Sequence, residues 1–362
     1  MEKIDFLHIF RDMRYLFSIG IFYIFTSLFA NAQDNISTIV PKIYIANHTK
    51  ESIVIDGLGT EKSWINAAYS DLFIDIEGIK KPKYNTQMKM LWDTDYLYFL
   101  ATLEEPHVWG NLKQRDTIVY YNNDFEIFID PDGDAHNYYE FEFNALNTIW
   151  DLFLTKPYRE NALVLNDWDA NGIKSAVHIK GTLNNPTDID KGWNIEIAIP
   201  IAVFKTSYFE KIKLKENFWR LNFSRVHWDF QLENNQYQRK KDKKGKYQKE
   251  YNWVWSPQGV IAMHQPETWG YVYFSDHDPG EKDTFEIPKD EYIKWLLFNL
   301  HNNLKSKKIS GKEVENTTTI LNHSIHPIFQ SHETGYNIWI HSPFTKDRII
   351  INHQGQIIVH KK

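Results

Sequence analysis

The sequence predicts an all-β fold, an antiparallel β-sandwich with a C-terminal appendage that contains one helix. Short segments in which apolar and polar residues alternate recur along most of the chain, and a period of two is typical of strands with one buried face. Turn residues separate about a dozen such segments, and no helical pattern lies between them, which excludes a parallel α/β sheet. Aromatic residues make up 15% of the 362 residues, which suits a large core.

The first 32 residues have the pattern of a secretory signal peptide, which we expect to be removed from the mature protein. Arg11 and Arg14 precede an apolar run over residues 15–30, and Ala30-Asn31-Ala32 is a typical cleavage motif. A membrane anchor is the alternative, but the run falls short of the roughly 20 residues that a span requires. The sequence therefore predicts a secreted or periplasmic protein with no membrane span after cleavage.

Charge and cysteine content exclude several classes of function. The net charge is −6, and a mildly acidic chain is a poor candidate for binding nucleic acid. The chain has no cysteine, which excludes disulfides, cysteine nucleophiles and zinc–thiolate sites. An exported protein without disulfides needs a large apolar core, and the length of the chain allows one.

The strands of the N-terminal third follow from alternation and turn residues. Brief strands are expected at 43–45 and 53–55, and Trp64 is expected to lie in the core at one end of the sheet. Apolar residues alternate with polar ones over 88–92, and an acidic turn then leads into 96–102. Two strand patterns joined by a short turn predict a hairpin.

The stretch from 123 to 150 has the strongest strand pattern in the chain. Apolar side chains at odd positions share one face of the first strand, 125–129, and carboxylates alternate with them. The second strand alternates in the same way over 139–144, and 148–154 is expected to return beside it. One face of this sheet is therefore apolar, and the other carries carboxylates and amides.

The turn between these two strands is acidic. Asp130, Asp132 and Asp134 place oxygen ligands on alternate residues, as at the start of a calcium loop. The glutamate that closes such a loop is missing, because position 141 is Phe. The three aspartates are thus candidate calcium ligands, although Pro131 and Gly133 also suit a plain turn, which is the favoured interpretation.

The remaining strands precede a change of texture near residue 279. Ile and Leu residues recur at helical spacing over 288–303, with acidic residues in the first turn, which predicts a helix. We therefore assign 33–278 to the sandwich and 279–362 to an appendage that carries no motif of known function. The later alternating segments of the sandwich are 193–199, 219–225, 251–255 and 271–275.

Polar residues of these strands line one surface if the strands share a sheet. Acid, amide and guanidinium groups orient hydroxyls, and flat aromatic rings cover the apolar face of a sugar. The alternative is that the groups face solvent and pair with one another across strands. The candidate hydrogen-bonding residues are Glu126, Glu142, Asn144, Arg220 and Asn222, with Glu196 on the same expected face. The candidate stacking residues are Trp109, Trp150 and Trp255.

Motifs along residues 43–275 resemble, as an ordered set, the family 9 carbohydrate-binding module. Two of them, 252–257 and 264–270, are similar to segments of exported family 9-like proteins of Bacteroidetes-type bacteria. The other motifs are Asp56-Gly57 with Trp64, Met90-Leu91-Trp92-Asp93, Asp124-Phe125-Glu126-Ile127-Phe128-Ile129-Asp130, Gly192-Trp193 with Glu196-Ile197-Ala198-Ile199-Pro200, and Trp219-Arg220-Leu221-Asn222-Phe223-Ser224-Arg225.

The resemblance implies an immunoglobulin-like β-sandwich, related to haem- and sugar-binding extracellular domains. It also implies sugar binding on a concave sheet face, often at chain ends, and calcium in some members. The acidic ligand residue of the family falls on Glu126, and its amide-bearing position matches Asn222 or Ser224. The family's arginine on the next strand falls near Glu142, which is a departure.

The prediction from residues and resemblance together is non-catalytic binding of an oligosaccharide or a polysaccharide chain end, in extracellular or periplasmic polysaccharide catabolism. Sugar-degrading enzymes are candidate partners. One alternative is a haem-binding electron-transfer module that uses His264 or Met263. The other is a glycoside hydrolase, which needs a pair of carboxylates and would depend on Glu126. The family's stacking tryptophans fall near Tyr120 and Met263, so the stacking residues differ from those of well-known members.

Overall fold

The computed structural model describes residues 39–206 and 212–362. The predicted signal peptide, residues 1–32, lies outside the described residues. The strands are β1 (Ile43–His48), β2 (Ile74–Asp75), β3 (Thr86–Trp92), β4 (Tyr96–Leu103), β5 (Asp124–Asp130), β6 (Tyr138–Asn144), β7 (Ile149–Leu154), β8 (Val164–Leu165), β9 (Lys174–Ile179), β10 (Trp193–Pro200), β11 (Phe218–His227), β12 (Phe230–Glu233), β13 (Gln236–Arg239), β14 (Tyr251–Val254), β15 (Gly270–Ser275), β16 (Thr318–Ile320), β17 (His323–Ile325), β18 (Ile328–His332), β19 (Gly335–His341), β20 (Arg348–Asn352) and β21 (Ile357–His360). The α-helices are α1 (Lys62–Asn66), α2 (Lys289–Lys305) and α3 (Gly311–Val314).

A single hydrogen-bonded sheet curls into the sandwich. Its strand order is β8-β7-β6-β5-β11-β15-β1-β3-β4-β10-β9, and β14 branches from β11 to pair with β2. The two halves face each other across one apolar core, in which the rings of Phe99 on β4 and Phe223 on β11 lie 5.9 Å apart. The prediction of an all-β sandwich is confirmed.

Strand β1 joins the two halves and makes the exception to antiparallel pairing. It pairs parallel with β15 on one side and with β3 on the other, whereas the other pairs of described strands are antiparallel. The Trp92 indole nitrogen donates to the backbone oxygens of Ala46 and Ser275, which ties the three strands together. Strand β1 therefore leaves no exposed sheet edge between the two halves.

Alternation explains the strands that carry the polar face. Odd-numbered residues of β5 and β6 such as Phe125, Ile127 and Phe141 are fully buried in the core. Their even-numbered neighbours point to the other side of the sheet, because successive side chains of a strand alternate between faces. That second face is covered only in part by later segments of the chain.

The C-terminal region has an apolar cluster of its own. Strands β18 to β21 form an antiparallel sheet, and Ile293 and Leu297 of helix α2 pack against its isoleucines. The helix spans the stretch that the apolar spacing predicts, and within the described residues no helix is long and apolar enough to cross a membrane. Ala135, from the turn between β5 and β6, belongs to this cluster, so the region packs against the sandwich.

Two local predictions have different outcomes. The hairpin expected from 88–92 and 96–102 is confirmed as β3 and β4. The strand expected at 53–55 is wrong: this segment is irregular, and the backbone N–H of Val54 donates to Glu61 instead of to a neighbouring strand. Ile53 and Ile55 still pack on the cluster around the buried Trp64, which accounts for their apolar character.

Candidate functional site

The strand register places the predicted polar residues of β5, β6 and β11 on one face. Glu126 lies opposite Glu142 on β6 and opposite Ser224 on β11. Residues that face each other across an antiparallel pair point to the same side of the sheet. The same register sets Arg220 beside Asp130, so the shared face that alternation predicts is present.

A cavity of about 360 Å³ opens over the middle of this face. Its floor carries three carboxylic side chains of adjacent strands, Glu126, Glu140 and Glu142. Aromatic and apolar side chains surround them. These are Tyr120, Phe128, Trp150, Leu152, Tyr158, Val226, Ile76, Ile261, Ala262 and Met263, with Glu250, Asn252 and His264 among them.

The acids of the cavity floor lie close together and away from water. Burial raises the pKa of Glu126 to about 7, and burial with the charge of Glu126 raises the pKa of Glu140 well above its ordinary value. Burial together with the charges of Glu140 and Glu126 raises the pKa of Glu142 in the same way. A carboxylate loses hydration when it is buried, and a like charge nearby adds to that cost.

His264 forms part of the cavity wall in its neutral state. Its Nδ1 atom is 2.9 Å from the Tyr138 hydroxyl, and the Tyr158 ring packs edge-on against it at 4.4 Å. Burial lowers the pKa of His264 to about 3. The ring therefore brings no positive charge to the three glutamates, although its Nε2 lies 3.9 Å from Glu140. A role for His264 or Met263 in holding haem stays a prediction.

Trp150 lies beside Glu142 in the register and lines the cavity. Its indole nitrogen is buried and has no hydrogen-bond partner among the described residues. A half-buried aromatic ring with a free donor can both cover a sugar ring and bond to a hydroxyl. The site roles of Trp150, Glu126 and Glu142 stay predictions, but these three side chains are together at the cavity.

Arg220, a predicted ligand residue, does not line the cavity, because a later segment covers this end of the face. Arg220 is 2% exposed. Its guanidinium donates to the carbonyl oxygens of Glu267 (2.9 Å) and Trp269, and lies 4.1 Å from the centre of the Tyr271 ring. A buried ion pair with Glu291 of helix α2 (3.5 Å) completes its surroundings.

Asn222 and Asn144 also have structural roles and do not reach the cavity. The Asn222 amide donates to the carbonyl oxygen of Ser256 (2.9 Å) and accepts from the backbone N–H of the same residue (3.0 Å). The side-chain oxygen of Asn144 accepts hydrogen bonds from the backbone N–H groups of Leu146 and Thr148, which stabilises the turn into β7. Both side chains are fully buried and neither lines the cavity, so ligand contact stays a prediction for them.

Two of the three predicted stacking tryptophans are core residues. Trp255 is 1% exposed and packs on Phe223 inside the sandwich. Trp109 is 2% exposed and stacks on Tyr237. Glu196, expected on the same face, lies on β10 in the other half and accepts from the indole N–H of Trp64 (2.7 Å). None of these three residues lines the cavity.

The acidic turn brings its three aspartates together as expected. Oxygens of Asp130, Asp132 and Asp134 lie within 4.8 Å of one another. Asp130 already accepts from the N–H groups of Gly133 and Ala135, at 3.0 and 2.9 Å, as a plain turn requires. Burial and the charge of Asp132 raise the pKa of Asp134 to about 7. The donor set fits calcium, which stays a prediction here.

Glu140 and Tyr158 line the cavity but are not among the residues that the sequence predicts to contact a ligand. Glu140 could have been chosen, since it precedes Glu142 by two positions and must share its face. Tyr158 could not, because it lies in a short 3-10 turn after β7, within a stretch of no regular pattern.

Comparisons with known proteins point to one family. The model of the family described as "Carbohydrate family 9 binding domain-like" matches residues 55–275. No curated protein matches this chain. Among solved structures, the chain is similar to a Bacteroides uniformis protein proposed to bind carbohydrate (17% identity, TM-score 0.48, covering 64% of this chain and 99% of that one). It is also similar to a family 9 module from Caldicellulosiruptor kristjanssonii, solved with cellotriose and with glucose (15%, 0.39, 68% and 100%).

Proposed function

The chain belongs to the carbohydrate family 9 binding domain-like family, a family of non-catalytic carbohydrate-binding domains, and from this premise we propose that its cavity holds the end of an oligosaccharide or polysaccharide. The observation that carries the proposal is the cavity itself, in which acidic side chains form the floor and aromatic side chains the wall. Its volume of about 360 Å³ is near the lower end of the roughly 300–1,000 Å³ of small-molecule sites. A chain end suits this space better than a long stretch of polysaccharide.

The polar groups of the cavity suit hydroxyl ligands. Oxygens of Glu126 and Glu140 have no hydrogen-bond partner among the described residues, and neither has the indole nitrogen of Trp150. Sugar hydroxyls both donate and accept, so they can satisfy a carboxyl oxygen and an indole N–H at the same time. Tyr120 and Tyr158 line the same cavity and provide apolar surface for the C–H groups of the sugar.

The arrangement of the acids favours binding over hydrolysis. Glu126 and Glu142 are directly opposite each other on paired strands, and Glu140 is two residues from Glu142 on the same strand. All three therefore approach a ligand from the same side. A glycoside hydrolase needs two carboxyl groups that flank the scissile bond, one of which protonates the leaving oxygen. A one-sided floor orients a sugar without that geometry.

The setting of this function is part of the proposal. The cleavage motif at residues 30–32 supports export, and so a secreted or periplasmic location. A binding protein in that location would hold polysaccharide near sugar-degrading enzymes, which are its proposed partners.

Calorimetric titration with plant and algal oligosaccharides tests the proposal. Tyr158 at the cavity is 50% exposed, and Tyr247 outside it is 49% exposed, so the two tyrosines form a matched pair. We expect Tyr158→Ala to weaken sugar binding by roughly tenfold, equivalent to about 1.4 kcal/mol, and Tyr247→Ala to leave it unchanged. Equal effects of the two variants, or no binding of any oligosaccharide by the unmodified protein, would count against the proposal.

A further inference from the structure

Three buried carboxylates meet at the edge of the cavity floor. Asp124, Glu126 and Glu142 each offer an oxygen, and these oxygens lie within 4.8 Å of one another. Asp124 is at the start of β5, opposite Asn144. It precedes Glu126 by two residues and therefore shares a face of the sheet with Glu126 and Glu142. Strand register therefore holds the cluster in place, independently of any flexible loop.

Several carboxyl oxygens at this point have nothing to bind. The Oδ2 atom of Asp124 and the Oε2 atom of Glu126 have no hydrogen-bond partner in the described parts of the chain. Glu140 adds a third such oxygen from outside the cluster, and its charge helps to raise the pKa of Glu142. Asp124, Glu126 and Glu140 are 0%, 4% and 4% exposed, respectively. Buried acceptors without partners are rare in folded proteins, because each one lowers the stability of the fold.

Among the described residues, no cation is left free to compensate the cluster. Arg225 acts on Asp124 but is itself paired with Glu105 at 2.7 Å. A third acidic cluster, around Asp151 and Asp169, differs because the Arg115 guanidinium lies between its carboxylates. The cluster at the cavity therefore has buried carboxyl groups, oxygens without hydrogen-bond partners and, in the described parts of the chain, no partner of opposite charge. A bound cation would supply the opposite charge and would bind the free oxygens.

We propose that Asp124, Glu126 and Glu142 bind a divalent cation, with calcium as the best fit. Calcium takes oxygen ligands at about 2.3–2.6 Å, so ligands on opposite sides of the ion lie up to about 5 Å apart, which matches the spacing of the three oxygens. Magnesium requires a stricter octahedron and keeps more water. The ion has access from solvent, because Glu126 and Glu142 line the cavity.

The position of the ion gives it a role at the cavity. Three protein oxygens leave coordination positions of a calcium ion open, since it takes about six to eight ligands. Because Glu126 and Glu142 line the cavity, a pair of sugar hydroxyls could take such positions. This second statement rests on the proposed carbohydrate binding, whereas cation binding itself does not.

The test measures calcium binding without sugar. The full mature chain is prepared with Asp132→Ala and Asp134→Ala, which leave Asp130 as the one carboxylate of the other candidate calcium site, and is stripped with EDTA. Thermal unfolding and calorimetry are then followed with CaCl₂ up to about 10 mM, above the 10⁻⁴–10⁻³ M range of weak extracellular sites. We expect calcium to raise the unfolding temperature of this protein. Glu126→Gln and Glu142→Gln should each lower the calcium affinity at least tenfold and reduce that rise. Asp169→Asn, in the third acidic cluster, should leave the affinity unchanged.

The outcomes test two statements separately, the binding of a cation and its role in sugar binding. No calcium binding, or binding that both glutamine variants retain, overturns the cation site. Circular dichroism of each variant establishes that loss of binding does not come from loss of the fold. A titration with oligosaccharide, with and without CaCl₂, then addresses the role at the cavity: sugar binding that is the same in EDTA overturns the link to sugar, while the calcium titration still stands. Absence of sugar binding under both conditions is instead a failure of the proposed function.

Discussion

The two ends of one sheet face differ in the partners of their polar side chains and not in the burial of those side chains. One end is the cavity floor, with Glu126 and Glu142, and the other is the covered end, with Arg220 and Asn222. Glu142 and Arg220 are both 2% exposed. Arg220 has an ion pair with Glu291 and two carbonyl acceptors. The acids of the floor have like charges as neighbours and free oxygens.

This difference shows what distinguishes a binding surface from a structural polar network in this protein. At the covered end, segment 256–269 and helix α2 supply a partner for each group that they bury. At the open end, the chain buries the acids and leaves one oxygen of Glu126 and one of Glu140 without a hydrogen-bond partner among the described residues. A buried polar group without a partner is costly, so its retention indicates a ligand, an ion or a bound proton.

The largest expected effect comes from breaking the covered network. Arg220→Met should lower the free energy of unfolding by about 3 kcal/mol, because the buried carbonyl oxygens of Glu267 and Trp269 lose their donor, while Lys294 still pairs with Glu291 at 2.6 Å. Urea denaturation followed by tryptophan fluorescence measures the change.

The double variant Arg220→Met with Glu291→Gln is the matched control for that prediction. It removes both charges of the pair, but Lys294 already keeps the Glu291 carboxylate paired, so the double variant should be no more stable than the single one. A loss below about 1 kcal/mol for the single variant would mean that the two carbonyl oxygens do not depend on Arg220 as their donor, and the contrast between the two ends would disappear.

A smaller effect is expected where helix α2 meets the cavity wall. Glu160, next to Tyr158 and Arg159, contacts His301 at 3.2 Å and Lys305 of the helix. Burial alone would raise the pKa of Glu160, but these two partners lower it to about 2 from an ordinary 4.5. An acid whose pKa is lowered by folding stabilises the protein above its unfolded pKa, and this contribution is lost as the pH falls from about 4.5 towards 2.

Glu160→Gln should therefore destabilise the protein by about 1–2 kcal/mol near neutral pH, after allowance for solvent around the half-exposed Lys305. The difference from the unmodified protein should shrink below pH 4.5, and unfolding by urea at a series of pH values measures it. A difference that is constant with pH would show that packing, and not charge, holds the helix to this turn.

The sequence could predict the shared face and the family, and it could not predict which part of the face is open. Strand geometry fixes the first locally, since Glu126, Glu142 and Asn222 follow from alternation within β5, β6 and β11. Covering depends on segments that come much later in the chain. Nothing in the pattern around Asn222 shows that Ser256 will lie over it.

The tryptophans illustrate the same limit. Trp109, Trp150 and Trp255 are equal candidates in the sequence, because a large aromatic residue serves a core as well as it serves a sugar. Only tertiary packing separates them: Trp255 fills space against Phe223 in the core, Trp109 stacks on Tyr237, and Trp150 lines the cavity. Long-range contacts decide such outcomes, and local composition does not.

The smallest expected effect on stability lies at the open end itself. In EDTA, Glu126→Gln should change the free energy of unfolding by less than about 1 kcal/mol, because the replaced oxygen has no partner and the amide has nearly the same shape. Glu196→Gln is the matched control: its carboxylate accepts from the indole of Trp64 and from the backbone N–H groups of Asp56 and Gly57. An amide cannot accept from all three donors, so this variant should cost about 1–3 kcal/mol by the same urea measurement. Equal losses in the two variants would mean that Glu126 is already satisfied within the fold, and that the cavity floor is a structural network like the covered end.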